Sequence, residues 1–132
     1  MKYMLDTNMC IYLIKKKPPE VYNTFKKIKI SDIGISVITL NEIEYGIAQS
    51  SNVKKNRIAF AKFLAPLDVY NYDDTCSPIY GELRTYLERK GTPIGSLDLL
   101  IASHALALDC ILVSNNISEF TRVPKLKFEN WI

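Results

Sequence analysis

The chain alternates short apolar runs with longer stretches whose apolar residues return every three or four positions. Residues 2–5 form a short apolar run suited to a buried strand, and residues 8–16 have helical spacing that must stop before Pro18 and Pro19. Pro19 then opens a second helical stretch to about residue 28, as proline is tolerated in a first turn. Residues 33–37 alternate and are β-branched, which predicts a strand. Helical spacing resumes over 39–49 and 52–64, the latter with Ile58, Phe60, Phe63 and Leu64 as its apolar surface, and 67–70 is a further short strand. A long amphipathic helix is expected over 73–90, with Ile79, Leu83, Tyr86 and Leu87 on one face and Gly91 as its stop. Residues 96–108 form an apolar helix with Ser96 as N-cap, 111–113 a fully buried strand, and the tail 125–132 has room for an edge strand. Strands alternating with helices predict an α/β fold, a parallel sheet with right-handed crossovers and helices on both faces. In such sheets the working site lies beyond the carboxyl ends of the strands.

Composition narrows the class. At 132 residues and 48% hydrophobic, with only five Gly and six Pro, the chain is expected to be a single domain spanning 1–132 that buries a core without staples. No apolar run approaches the roughly 18 residues a membrane helix needs, and charges near the N-terminus interrupt anything like a signal peptide, so a cytoplasmic protein is expected. Cys10, Cys76 and Cys110 are odd in number and far apart, with no Cys-x-x-Cys pair, which predicts buried reduced thiols. The net charge of +3 is unevenly spread: through Pro66 there are 11 Lys/Arg against 5 Asp/Glu, and thereafter 6 against 9. The clusters Lys15–Lys17, Lys26, Lys27 and Lys29, and Lys54, Lys55 and Arg57 are what a solvated face shows, and all three on one half suit a polyanion partner.

Acidic residues near strand ends carry the candidate chemistry. Asp6 falls at the carboxyl end of the first strand, where it can cap the next helix. Glu42 lies three residues after Thr39, the spacing of a capping box in which the Glu reaches back to the backbone. Asp98 lies in the first turn of its helix, where the dipole favours an anion. Each has a local explanation, yet Asp6 and Glu42 should reach the same sheet edge and Asp98 begins the helix leading into the last buried strand. Clustered carboxylates without a cation repel, and one takes up a proton. A hard cation such as Mg²⁺, held by a few carboxylate oxygens, resolves the conflict, acidifies water and polarises a phosphoryl oxygen.

Four stretches resemble the PIN-domain ribonucleases, and among them the VapC-type toxins: residues 4–8 (MLDTN), 39–46 (TLNEIEYG), 93–105 (PIGSLDLLIASHA) and 112–120 (LVSNNISEF). The resemblance covers nearly the whole chain in the family's order and spacing. It implies a PIN-like three-layer α/β/α fold with a small central parallel sheet, and a Mg²⁺-dependent endoribonuclease, with Mn²⁺ as a substitute, that is the toxic half of a bacterial toxin–antitoxin pair. By position, Asp6, Glu42 and Asp98 match the acids that hold metal in the family. Asn116 completes the catalytic set where PIN nucleases at large usually carry Asp. Its neutral amide oxygen is the weaker ligand, which implies one ion with a second recruited by substrate phosphate. Thr7, Asn8 and Ser114 have two readings of equal weight, orienting the carboxylates or their waters, or local capping. The implied partners are a VapB-type antitoxin, a second copy in a homodimer and structured RNA, with operator DNA reached only through the antitoxin complex and no membrane. The substrate implied by close VapC-type relatives is the anticodon loop of initiator tRNA. Lys15, Lys16 and Lys17 are assigned to gripping its phosphates.

Other residues carry less. His104, six residues after Asp98, lacks the spacing of a His-Glu-x-x-His zinc site and is expected to pack or hydrogen-bond on its helix. Glu44 should face away from Glu42 as a surface charge. A haloacid-dehalogenase-like phosphatase would need a carboxyl where Asn8 stands. The remaining alternative is a non-catalytic binding module whose acidic pocket captures a basic residue of a partner; metal-dependent hydrolysis of RNA separates the two.

Overall fold

The computed structural model describes residues 1–132. Five short strands, β1 (Tyr3–Leu5), β2 (Ile33–Ser36), β3 (Asp68–Tyr70), β4 (Ile111–Val113) and β5 (Phe128–Glu129), form one sheet. Their order is β3-β2-β1-β4-β5, and every neighbouring pair is parallel. The first strand therefore lies in the centre. Between the strands run α1 (Thr7–Lys15), α2 (Pro19–Lys26), α3 (Val37–Ala48), α4 (Val53–Leu64), α5 (Ser77–Arg89), α6 (Ser96–Leu108) and the single turn α7 (Ile117–Phe120). No helix is long and apolar enough to cross a membrane.

The two-residue repeat of a strand sends alternate side chains to opposite faces, and this divides the core. Leu5 and Val113 pack with Met9, Leu13, Val21, Ile43, Ile47 and Phe60 from α1 to α4. Their neighbours Met4 and Leu112 point the other way, against Leu83, Leu87, Leu99, Ala102 and Phe120 from α5, α6 and α7. Helices thus cover both faces, giving the three layers expected. Full burial of each large side chain stabilises by about 1.5–3 kcal/mol. All three cysteines are buried and unpaired, and burial raises their thiols, Cys110 to about 11.

Gly34, in the middle of β2, is required by close approach. A Cβ there would meet the Asp68 carbonyl oxygen at 2.9 Å and the Met1 sulfur at 2.6 Å. The carbonyl belongs to the neighbouring strand and cannot swing aside. Gly34→Ala is therefore expected to destabilise the fold by about 1–3 kcal/mol, read as a lower urea midpoint at an unchanged slope.

Three expected elements differ. The helix expected over 73–90 is broken: the Asp73 carboxylate accepts the Thr75 N–H at 3.0 Å, a 3-10 turn occupies Asp74–Cys76, and α5 starts at Ser77 so that Pro78 falls in its first turn. α3 begins two residues earlier than expected, because Ser36, not Thr39, is its N-cap and accepts the Ile38 N–H at 3.0 Å. The capping box of Thr39 and Glu42 does not form; Thr39 is fully buried and its hydroxyl has no partner. Ser96 is the first residue of α6 rather than its cap, which is Gly95.

Candidate functional site

The parallel register assembles the site. Leu5 lies beside Val113, and the Asp6 N–H extends that ladder to the Val113 carbonyl at 3.0 Å. Asp6 and Ser114 consequently leave adjacent strands side by side, and the Ser114 hydroxyl bonds the Asp6 carboxyl. Asp6 is also the N-cap of α1, its carboxylate accepting the Met9 N–H at 2.9 Å. Its capping role and its place at the sheet edge coexist. Burial raises its pKa, the bonds from Ser114 and Met9 oppose the rise, and the charge of Glu42 adds to it.

Glu42 projects from α3, and Thr7 Oγ1 donates to its Oε1 at 3.1 Å. That bond joins residues 35 apart in sequence and ties the start of α1 to α3. Asp98, in the first turn of α6, meets residues that follow β4. Asn116 Nδ2 donates to Asp98 Oδ2 at 2.9 Å and to Glu119 Oε2 at 3.0 Å, while the Gly95 N–H bonds Glu119 Oε1 at 3.3 Å. Asp98 itself is hydrogen-bonded to Glu119. Burial first, then this bond and the charges of Glu119, Asp6 and Glu42, push the Asp98 pKa up to about 7. The Glu119 pKa is lowered, chiefly because Asp98 donates to it. The two carboxyls therefore titrate as a pair, with Asp98 raised and Glu119 lowered.

The structure brings Asp6, Glu42 and Asp98 within electrostatic reach of one another, with Thr7 and Ser114 bonded to the first two. It turns the nitrogen, not the oxygen, of Asn116 toward the acids, because only the amide N–H groups can bridge two carboxylates. Asn8 is not brought in: it is exposed on α1 and bonds none of the acids. Of the three lysines only Lys15 borders the acids, lining with Thr7 and Glu42 a groove of about 320 Å³ between α1, α3 and α4. Lys16 is instead turned over the Tyr22 ring, 5.1 Å from its centroid. Glu44 pairs with Arg57 at 2.6 Å, away from Glu42, as expected of a surface charge.

Glu119 joins the cluster although the sequence alone does not single it out. Its one available signal is the spacing Asn116-x-x-Glu119, which resembles a capping box, here opening a helix of a single turn. None of the chain's three ion pairs involves Asp6, Glu42, Asp98 or Glu119, so the four carboxyl groups gather without a salt bridge, and the charge of Arg122 helps to lower only Glu119.

Residues 3–126 match the PIN domain family. The chain belongs to that family. It is 48% identical over 132 residues to Ribonuclease VapC2 of Rickettsia felis, covering 99% of this chain and 98% of the relative. It is 40% identical over 131 residues to the tRNA(fMet)-specific endonuclease VapC of Salmonella typhimurium, with the same coverage of both. It also superposes with a TM-score of 0.91 on a chain of the crystal structure of VapBC2 from Rickettsia felis bound to a DNA fragment from their promoter, at 46% identity over the full length of both. The PIN fold and the VapC-type assignment drawn from the four motifs are thus confirmed, and the acid cluster lies where this PIN domain's strands end.

Proposed function

We propose that the chain is a divalent-metal-dependent endoribonuclease toxin, restrained by a VapB-type antitoxin, that hydrolyses loops of structured RNA. The observation that carries this is the cluster of Asp6, Glu42, Asp98 and Glu119 at the sheet edge of a PIN domain, none of them in a salt bridge.

The donor set fits a hard cation: four carboxyl groups, oxygen only, one of them with its pKa raised by burial and its neighbours. As placed, no three of them close into a cage around an ion. Mg²⁺, with Mn²⁺ as a substitute, keeps several waters, so one or two of these oxygens would hold it, and the three acids would have to draw closer to share it. When bound, such an ion supplies Lewis-acid assistance to phosphodiester hydrolysis. The protein's own part is positional. Thr7 orients Glu42, Ser114 and the Met9 amide orient Asp6, and Asn116 holds Asp98 and Glu119 together. A proton held by the Asp98–Glu119 pair must leave when a dication arrives, so the site couples metal binding to proton release.

The Salmonella relative is named for tRNA(fMet), which supports the anticodon loop of initiator tRNA as substrate. A small domain cannot read bases in the narrow major groove of A-form RNA, so it grips phosphates and cuts where bases are splayed. Lys15, beside the groove that also holds Glu42, is the first of the basic residues placed to do so. The antitoxin covers the acids with a basic side chain, a homodimer is the assembled unit, operator DNA is bound by the complex, and the place of action is the cytoplasm. The Rickettsia relative, solved as VapBC2 on a promoter fragment, supports that division of labour.

Transcribed initiator tRNA is expected to be cut in its anticodon loop in Mg²⁺, to stay intact in EDTA, and to be cut again when Mn²⁺ replaces the chelated ion. A duplex of the same sequence should survive. Cleavage that ignores chelation would sink the metal assignment, and no hydrolysis under any metal would favour the non-catalytic binding module.

A further inference from the structure

His104 is the only histidine of the chain, fully buried within α6, and its imidazole meets none of the four acids. Its Nδ1 lies 2.8 Å from Ser36 Oγ, on a different element, rather than bonding along its own helix. Ser36 is equally buried and accepts the Ile38 N–H as N-cap of α3. The Ser36 hydroxyl, with one proton and two lone pairs, serves the Ile38 amide and the imidazole Nδ1 at once, the ring's tautomer setting which of Ser36 and Nδ1 donates. Nε2 is turned toward the Asn71 backbone carbonyl without full hydrogen-bond geometry. Burial holds the ring neutral by lowering its pKa.

The link's place is what gives it a function. Glu42 lies six residues along α3 from Ser36, and His104 six residues along α6 from Asp98. Six residues of helix span about 9 Å. The two helices pack on each other, and Asp98 feels the charge of Glu42. They therefore pass in opposite directions, with the His104–Ser36 bond as a rung at one end and Glu42 within electrostatic reach of Asp98 at the other. We propose that His104 is a positioning residue for RNA cleavage: its hydrogen bond to Ser36 pins α3 to α6 and so sets the separation of Glu42 from Asp98. The inference rests on those two acids holding the cation proposed above.

Mn²⁺ binding followed by electron paramagnetic resonance, beside steady-state cleavage of initiator tRNA, tests it. Ser36→Ala is expected to weaken Mn²⁺ binding about tenfold and lower kcat about tenfold with KM for RNA unchanged. Ser103→Ala is the control: an equally buried hydroxyl on α6 that donates to the Leu99 carbonyl of its own helix at 2.8 Å, bonds Tyr72 and makes no bond to α3, and both quantities should remain within about twofold. Should Ser36→Ala fold poorly, His104→Leu against His104→Asn carries the same comparison, since Asn can still bond Ser36 and should restore what Leu loses. The lone imidazole reports directly by ¹⁵N NMR, and its Nδ1 resonance should shift in Ser36→Ala. An unmoved resonance, or Ser36→Ala and Ser103→Ala behaving alike, overturns the proposal. A parent protein that binds no Mn²⁺ fails the metal assignment itself and takes the inference with it.

Discussion

Asp98→Asn is expected to reduce RNA cleavage by about 10³-fold or more, equivalent to about 4 kcal/mol of transition-state stabilisation. The amide keeps the volume of the carboxyl and can still meet Asn116 and Glu119, so the fold should be unchanged. What disappears is a negative oxygen ligand at the first turn of α6, where the structure gathers four carboxyl groups without a salt bridge. Single-turnover cleavage with saturating Mg²⁺ measures the loss. Activity within tenfold of the parent would show that Asp98 is not part of the machinery. The same variant should be more stable than the parent at pH 8 in EDTA, because the neutral amide escapes the repulsion that the ionised Asp98 suffers from Glu119, Asp6 and Glu42.

The second large effect is on stability against pH. The Asp98 pKa is raised to about 7, against about 3.9 for an unperturbed Asp. A raised carboxyl binds its proton more tightly folded than unfolded, so its stabilising contribution is complete below the unfolded value and is lost as pH rises through about 7. The group is only half-buried, and solvent screening reduces the full shift to about 1–2 kcal/mol. Metal-free protein is therefore expected to lose that stability between about pH 4 and pH 7.5 in urea titrations. Addition of Mg²⁺ should restore it, more at pH 8 than at pH 5.5, since the ion competes with the pair's proton. A metal effect on stability that does not change across this window would contradict the proton assignment.

The parallel three-layer arrangement was legible because each strand is short, apolar and followed by a polar turn, and because Leu5 and Met4, or Val113 and Leu112, read as strands buried on both faces. Asp6 and Asp98 were legible for the same reason: both stand where a strand or helix boundary delivers a side chain to the sheet's carboxyl edge. Glu42 was found, but its local explanation was wrong. Thr39 and Ser36 are both plausible caps by residue type, and only the tertiary fact that Ser36 ends β2 against the buried His104 decides between them. Glu119 escaped because one turn of helix has no periodicity to read, and the orientation of the Asn116 amide depends on two carboxylates from different elements. The split at Asp73 to Ser77 was hidden by an apolar spacing that runs through it, while Pro78 and the Asp73 turn set the true start. Asn8 looked like part of the motif beside Asp6, yet the turn of α1 carries it outward.

The strand order has a consequence for synthesis. β1 is made before the other four strands and stands in the middle of the finished sheet, while β4, its neighbour on one side, and β5 beyond it are made after β2 and β3. A chain still emerging from the ribosome has Asp6 and then Glu42, but no strand to place Ser114, Asn116 and Glu119 beside them. The four carboxyl groups meet only when β4 slots against the central strand and brings the segment that follows it into place. A chain in which β4 and α7 have not yet been made therefore lacks the assembled acid cluster, whatever its first strand has already placed.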